Sequence, residues 1–333
     1  MAGRKALVEQ LLKEMSRDLA SVQPEAKTFC PLCLRPFVLD DPKSDRRPTA
    51  EHIVQESLGG TLEFPTLTCV RCNSGDGRRF QGHLKKAMRA LDFMDGKGTM
   101  PTVIHNDVGH VVANVDWNMA DPVTIKVLGK KASNVAAVEA LPNLFRTNAK
   151  INLTFKFDFI QEPYVLAVLR CAYLAAFWRF GYAYALSAGG AQARRVLDGG
   201  SLPCAVVMEA FPSADPKRPF LIHSDPSAIL VLFRLENLTT RWLAALLPGL
   251  AGCSWERLGN AVENAERLML QVKFEETGDV VAVRFGKEPV EKLRDIRIAS
   301  RARGLPRAAP PTADTGSGPS DGWKELSIKP TAP

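Results

Sequence analysis

Three short stretches in the first quarter of the chain bring together metal-binding and titratable side chains. Residues 30–33 read Cys-Pro-Leu-Cys, residues 50–54 read Ala-Glu-His-Ile-Val, and residues 69–73 read Cys-Val-Arg-Cys-Asn. Each Cys-x-x-Cys sequence puts two thiols on one turn, so that a pair covers one edge of a Zn²⁺ tetrahedron. Two pairs therefore predict one structural zinc ion. Its predicted ligands are Cys30, Cys33, Cys69 and Cys72.

The redox setting of these cysteines can also be read from the sequence. The chain has seven cysteines, an odd number that does not suit complete disulfide pairing. Residues 1–22 read as an amphipathic surface helix rather than a signal peptide. We therefore expect a cytoplasmic protein, in which cysteine pairs bind metal more often than they form disulfides. The longest apolar run, residues 164–178, contains Arg170 and is shorter than the roughly 20 residues that cross a bilayer, so we expect no membrane segment.

Taken in order, these features resemble the HNH endonuclease family, whose nuclease module has a ββα-metal fold. Residues 30–90 carry a Cys-x-x-Cys pair, Glu-His-Ile, Gly-Gly at residues 59–60, and then Cys-x-x-Cys-Asn. The resemblance implies a nuclease module stapled by zinc. It also implies, more loosely, a setting in bacterial defence or in mobile elements.

The resemblance assigns roles to three residues. By that likeness His52 is the general base, and Glu51 and Asn73 hold one divalent metal ion against the scissile phosphate. Phosphodiester hydrolysis needs a base to take a proton from water and a cation to neutralise the growing charge. Imidazole suits the base, and carboxylate and amide oxygens suit Mg²⁺ or Mn²⁺. Because Glu51 and His52 are adjacent, both reach one site only if their strand bends or bulges.

Three positions depart from the family pattern. The Asn usual before the second cysteine pair is absent, and Phe64 and Pro65 occupy that neighbourhood. Gln55 replaces the usual Pro, and Gln81 stands where the narrower branch of the family carries an acidic residue. We predict a metal-dependent DNA endonuclease. The alternative is a zinc-stabilised nucleic-acid-binding module that has lost catalysis.

Basic residues follow the second cysteine pair and share much of one helix face. Those expected to contact phosphates are Arg78, Arg79, Lys85, Lys86 and Arg89. Such contacts carry no sequence information, and a solvated charged face is the alternative interpretation. The formal net charge of +7 gives a mild bias toward polyanions. The expected partner is nucleic acid, with DNA favoured over RNA, and the sequence specifies no protein partner.

The chain as a whole is predicted to be an α+β protein. We predict an N-terminal helix at 1–22, the zinc-stapled HNH module at 23–95, a mixed α/β domain without an assigned role at 96–302, and a disordered tail at 303–333. The tail is rich in Pro, Ala, Ser and Gly, a composition typical of disorder.

Within 96–302, residue patterns predict the main elements. Alternating apolar residues predict strands, and an apolar run after Pro163 predicts a buried helix at 164–180. The predicted strands lie at 102–104, 111–115, 123–128, 151–159, 204–211, 219–223 and 228–235. A helix at 255–268 and a hairpin of 270–274 with 280–285 complete the prediction.

Overall fold

The computed structural model divides the chain into two compact units. The described residues are 2–61, 63–118, 123–128, 133–146, 152–155, 159–202, 206–214, 218–265, 269–274, 276–287 and 324–328. The first unit comprises Met1–Ala87 and Phe159–Lys292, and the second comprises Met88–Asp158 and Leu293–Pro333. Most of the second unit is thus inserted in the chain between two parts of the first. The residue ranges of these units differ from those of the predicted domains. The domain boundaries stay a prediction.

Helices and strands alternate irregularly, as in an α+β protein, and this confirms the predicted fold class. The helices are α1 (Ala2–Val22), α2 (Val70–Asp76), α3 (Gly82–Met94), α4 (Val135–Arg146), α5 (Gln161–Ala185), α6 (Ala188–Leu197) and α7 (Trp255–Ala265), with a 3₁₀ turn at Glu56–Leu58 and a π-helical turn at Gly77–Gln81. The strands are β1 (Pro48–His52), β2 (Pro65–Cys69), β3 (Lys97–Asn106), β4 (Gly109–Asn118), β5 (Val123–Val127), β6 (Asn152–Phe155), β7 (Val207–Pro212), β8 (Phe220–Ser224), β9 (Ala228–Glu236), β10 (Thr240–Pro248), β11 (Met269–Lys273), β12 (Val280–Gly286) and β13 (Lys324–Ile328).

The first unit contains two antiparallel sheets. One is the hairpin of β1 and β2, and the other has six strands in the order β11-β12-β7-β10-β9-β8. The larger sheet confirms, with small shifts at the ends, the strands predicted at 219–223 and 228–235 and the hairpin of 270–274 with 280–285. Residues 204 and 205 of the strand predicted at 204–211 lie outside the described residues. β10 was not predicted.

The central helix of the first unit is α5, which confirms the helix predicted at 164–180 and extends beyond both ends. Pro163 was predicted at the first helical position and is instead the third helical residue. That position also tolerates proline, because first-turn N–H groups have no partner within a helix. By length and composition α5 could cross a membrane, but 78% of its most apolar window is buried inside the protein, as in a core helix.

The β1–β2 hairpin packs with α1 and α5 in one apolar cluster. Buried members of this cluster include Leu11, Met15, Leu19, Ala50, Leu67 and Phe177. α5 is interrupted at Gly181, whose φ of 58° lies in the left-handed region. There the Asp18 carboxylate accepts the Tyr182 N–H at 2.6 Å, and a Cβ at residue 181 would lie 2.0 Å from that carboxylate. The kink is therefore fixed by a side chain of α1.

The second unit is built on a five-stranded antiparallel sheet in the order β13-β5-β4-β3-β6. Its strands confirm those predicted at 102–104, 111–115 and 123–128. Of the strand predicted at 151–159, β6 forms one part, residues 151 and 156–158 lie outside the described residues, and Phe159 is not in a strand. β13 pairs with β5 and lies within the segment predicted as a tail, 303–333; the rest of that segment lies outside the described residues.

Candidate functional site

The four cysteines predicted to hold zinc lie together. Their Sγ atoms are all within 4.8 Å of one another, and Cys33 and Cys69 have their sulfurs 3.8 Å apart. A Zn²⁺ tetrahedron with Zn–S bonds of about 2.3 Å has S···S edges of about 3.8 Å. The thiols are free rather than disulfide-bonded. The cluster is therefore compatible with a structural zinc ion, as predicted.

Local structure brings each pair into position. The first pair lies on a turn in which the Cys30 N–H donates to the Arg35 carbonyl at 3.0 Å and the Leu34 N–H donates to the Cys30 carbonyl at 2.8 Å. The second pair spans the junction of β2 and α2, with Cys69 ending the strand. The Cys69 N–H donates to the Cys30 sulfur at 3.4 Å, and this contact joins the two pairs.

The four thiols influence the ionisation of one another. A hydrogen bond from the Cys30 thiol lowers the pKa of Cys69 to about 7. Hydrogen bonds with the neighbouring thiols raise the pKa of Cys30 and Cys72 well above the ordinary range. Four thiolates at this spacing repel one another, so all four lose their protons only when a metal ion compensates their charge.

The first cysteine turn is held by α5, which lies far away in the sequence. The buried Tyr173 hydroxyl donates to the Pro31 carbonyl at 2.7 Å. The Tyr182 hydroxyl donates to the Phe29 carbonyl and accepts the Phe29 N–H, the latter at 3.2 Å. These tyrosines were not predicted to take part in the site. Two helical tyrosines among apolar neighbours were the available signal, because a buried hydroxyl usually needs a partner.

His52 is the last residue of β1 and pairs with Pro65 of β2. The side chain is half-buried, and among the described residues its buried Nδ1 atom has no hydrogen-bond partner. Where the family pattern has an Asn, Phe64 packs edge-on against Trp178 and Phe220, with ring centroids 5.2 and 5.3 Å away. The missing Asn has thus been replaced by an aromatic contact rather than by another polar partner.

Glu51 is buried, with 4% of its surface exposed, and both carboxylate oxygens accept hydrogen bonds. Oε1 accepts from Arg170 Nη1 at 3.1 Å and from Gln81 Nε2 at 3.4 Å. Oε2 accepts from the Thr68 hydroxyl at 3.5 Å. Sequence reasoning missed Arg170 as part of this site. A single arginine within an apolar helix was the signal, since a buried charge needs a partner.

The predicted metal ligands Glu51 and Asn73 are not equally suited to a divalent ion. β1 pairs with β2 at every position from Pro48 to His52, without a bulge. Glu51 and His52 therefore point to opposite faces of the hairpin. Mg²⁺ keeps several waters when it binds a carboxylate, whereas Glu51 is closed off from water and already faces a guanidinium. Glu51 does not fit a metal-ligand role in this arrangement. Asn73 is half-buried in α2, directly after Cys72.

The predicted phosphate-contacting residues differ in their surroundings. Arg79, Lys85 and Lys86 are exposed, and the Arg79 guanidinium lies 4.8 Å from the centre of the Phe80 ring. The side chain of Arg78 lies outside the described part of the chain. These three exposed residues form the basic patch referred to below.

Arg89 is also exposed, but its Nε and Nη2 atoms donate to the Thr99 carbonyl at 3.1 and 2.8 Å. His83, which lies beside the basic patch on α3, accepts the Ile160 N–H on Nδ1 at 2.8 Å. Burial, together with the nearby Lys86 charge, lowers the pKa of His83. Both side chains thus have local structural roles.

A comparison with protein families finds a match within the first third of the chain. Residues 39–89 match the family model of the HNH endonucleases. This match covers the hairpin, the second cysteine pair, Asn73 and the start of α3, and it confirms the resemblance inferred from the sequence motifs. Residues 39–89 are thus similar to the HNH endonucleases. No curated protein and no solved structure matches the chain.

Proposed function

We propose that this protein is an endonuclease that hydrolyses phosphodiester bonds in DNA, with His52 as the general base. The observation that carries the proposal is the position of His52, the one histidine between the two cysteine pairs, at the end of β1 within the matched HNH segment. The four-cysteine cluster would hold the structural zinc ion. The free thiols support a cytoplasmic location.

In the proposed reaction, His52 takes a proton from water on Nε2, because its Nδ1 atom is buried. The water oxygen attacks phosphorus in line, the P–O bond to the leaving oxygen breaks, and that oxygen takes a proton from solvent. The predicted Mg²⁺ or Mn²⁺ would neutralise charge on the phosphate when bound. We assign it no individual step, because Glu51 does not fit the predicted ligand set.

The basic patch supports a nucleic-acid substrate. Arg79, Lys85 and Lys86 are exposed on the helical segment that follows Asn73, where they can contact phosphates without reading the sequence. Neither the patch nor His52 distinguishes deoxyribose from ribose. DNA is proposed as the substrate on the family resemblance, and RNA cleavage is the alternative that the experiment tests.

The experiment is the incubation of pure protein with supercoiled plasmid in Mg²⁺, Mn²⁺, Ni²⁺ or chelator. We expect metal-dependent nicking by the wild type and a rate lower by about 10²-fold or more in His52→Ala, the usual loss on removing a general base. His223→Ala is the matched control. That histidine bonds to the Lys273 carbonyl in the six-stranded sheet, so cleavage should be unchanged.

Three outcomes would change the proposal. Wild-type cleavage rates in a folded, zinc-loaded His52→Ala protein would place the base elsewhere. DNA binding without cleavage in any metal would favour the alternative, a zinc-stabilised binding module that has lost catalysis. Cleavage of a matched RNA but not of DNA would move the substrate assignment to RNA.

A further inference from the structure

We propose that Arg170, which lies outside the matched HNH segment, is a positioning residue of the nuclease site, and that Glu51 is its structural partner rather than a metal ligand. The inference rests on the proposed function, because it takes the site to be a nuclease site. Its structural part rests on the contacts of the two side chains alone. According to the proposal, α5 helps to position the residues of the site through Arg170.

The two charged groups form a buried ion pair. Arg170 Nη1 lies 3.1 Å from Glu51 Oε1, with 1% of the Arg170 side chain and 4% of the Glu51 side chain exposed. A buried charge is costly unless it is paired and hydrogen-bonded, and removing one partner leaves the other uncompensated. Loss of either charge therefore leaves the buried charge of the other less well compensated. A second cation at Glu51 Oε1 would repel the guanidinium in surroundings that screen charge poorly.

Two departures from the family pattern belong to the same network. Gln81 stands where the narrower branch has an acidic residue, and its Nε2 donates to Glu51 Oε1 at 3.4 Å. A second carboxylate there would repel Glu51. Gln55 replaces the usual proline, and its Nε2 donates to the Gln81 carbonyl at 3.1 Å. These substitutions fit a Glu51 that is held by protein donors.

The network fixes the orientation of the hairpin. Glu51 ties β1 to α5 through Arg170 and to the π-helical turn through Gln81. Because neighbouring residues of a strand point to opposite faces, anchoring Glu51 inward directs His52 to the other face. Arg170 itself is fully buried and cannot touch DNA. Its effect on catalysis must pass through Glu51 and the strand.

The test compares four variants of the full chain: Glu51→Gln, Arg170→Gln, Arg170→Lys and the double variant Glu51→Gln/Arg170→Gln. Calorimetric Mn²⁺ titration should give the same affinity for wild type and Glu51→Gln. Arg170→Gln should lower kcat about tenfold or more with KM unchanged, because a small displacement of the base is enough. Arg170→Lys should recover part of kcat. The double variant should unfold at a higher temperature than Arg170→Gln.

Specific results would overturn the proposal. Loss of Mn²⁺ affinity in Glu51→Gln would make Glu51 a metal ligand, and wild-type kcat in a folded Arg170→Gln protein would remove Arg170 from positioning. If Arg170→Gln does not fold, kcat and the unfolding temperature of Arg170→Lys and of the double variant are compared with those of the wild type instead. A wild type that cleaves nothing would overturn the proposed function instead, while Mn²⁺ binding and the unfolding temperatures would still decide the role of Glu51.

Discussion

At the scale of single residues, the sequence predicted the contacts between residues that lie close together along the chain. The four thiols follow from two Cys-x-x-Cys turns, and the structure brings their sulfurs within 4.8 Å. The partners of those turns could not be predicted in the same way. The Tyr173 hydroxyl reaches the Pro31 carbonyl across 142 residues of sequence, and Arg170 reaches Glu51 across 119. Such contacts depend on how α5 packs, which no local pattern records.

The Tyr173 hydrogen bond gives a prediction for the zinc turn. Tyr173→Phe removes a buried donor to Pro31 and an acceptor of the Arg194 guanidinium, whose Nη1 lies 3.0 Å away. We expect a loss of about 1–3 kcal/mol in the free energy of unfolding, the usual effect of leaving buried polar groups unpaired. Urea unfolding of the zinc-loaded protein measures it. Faster loss of zinc to a chelator should accompany the change.

Tyr184 provides the matched control. It is fully buried like Tyr173, but among the described residues its hydroxyl has no hydrogen-bond partner. Tyr184→Phe should therefore leave stability unchanged or raise it slightly, since it removes an unsatisfied polar group. Equal losses of stability in the two variants would mean that the hydroxyl of Tyr173 does not support the turn.

At the scale of elements, most strands of the large sheet were predicted, but β10 was not. β10 reads Thr-Arg-Trp-Leu-Ala-Ala-Leu-Leu-Pro, in which leucine and alanine favour a helix. It is a strand because it lies between β7 and β9, where both of its edges are hydrogen-bonded. Tertiary pairing therefore overrides local propensity here.

The helical segment that bears the basic patch gives the second prediction. Lys85→Ala/Lys86→Ala should weaken DNA binding to a similar degree for different sequences. If each lysine neutralises one phosphate, the slope of log affinity against log salt should flatten by about 1.8, twice the contribution of a single contact. Fluorescence anisotropy across a salt series measures the slope. Zinc content should stay as in the wild type.

A charge-matched control separates local contacts from net charge. Lys13→Ala/Lys27→Ala removes the same two charges from exposed positions outside the basic patch, and its salt slope should match that of the wild type. If both double variants flatten the slope equally, overall charge rather than the patch drives binding. An unchanged slope in Lys85→Ala/Lys86→Ala would mean that the two lysines are only solvated.

At the scale of the whole molecule, the HNH segment packs against parts of the chain that lie outside it. The first compact unit joins Met1–Ala87 to Phe159–Lys292. The hairpin shares its apolar cluster with α1 and α5, and α5 supplies the partners of Glu51, Pro31 and Phe29. The motif therefore marks the site, while helices on either side of it complete the core.

The third prediction follows from that sharing of a core. A fragment of residues 23–95, the predicted module, lacks both α1 and α5 and leaves the buried Glu51 carboxylate without Arg170. We expect it to be unfolded or only partly folded even with zinc, because an uncompensated buried charge and an exposed apolar face both oppose folding. Circular dichroism and elemental analysis should show a folded full chain with one zinc ion, and a fragment without cooperative unfolding. Adding the segment 159–292 in trans should restore ordered structure if α5 is what the fragment lacks. A fragment that binds zinc and unfolds cooperatively alone would show instead that the metal suffices to fold the module, and that α5 serves only to position the residues of the site.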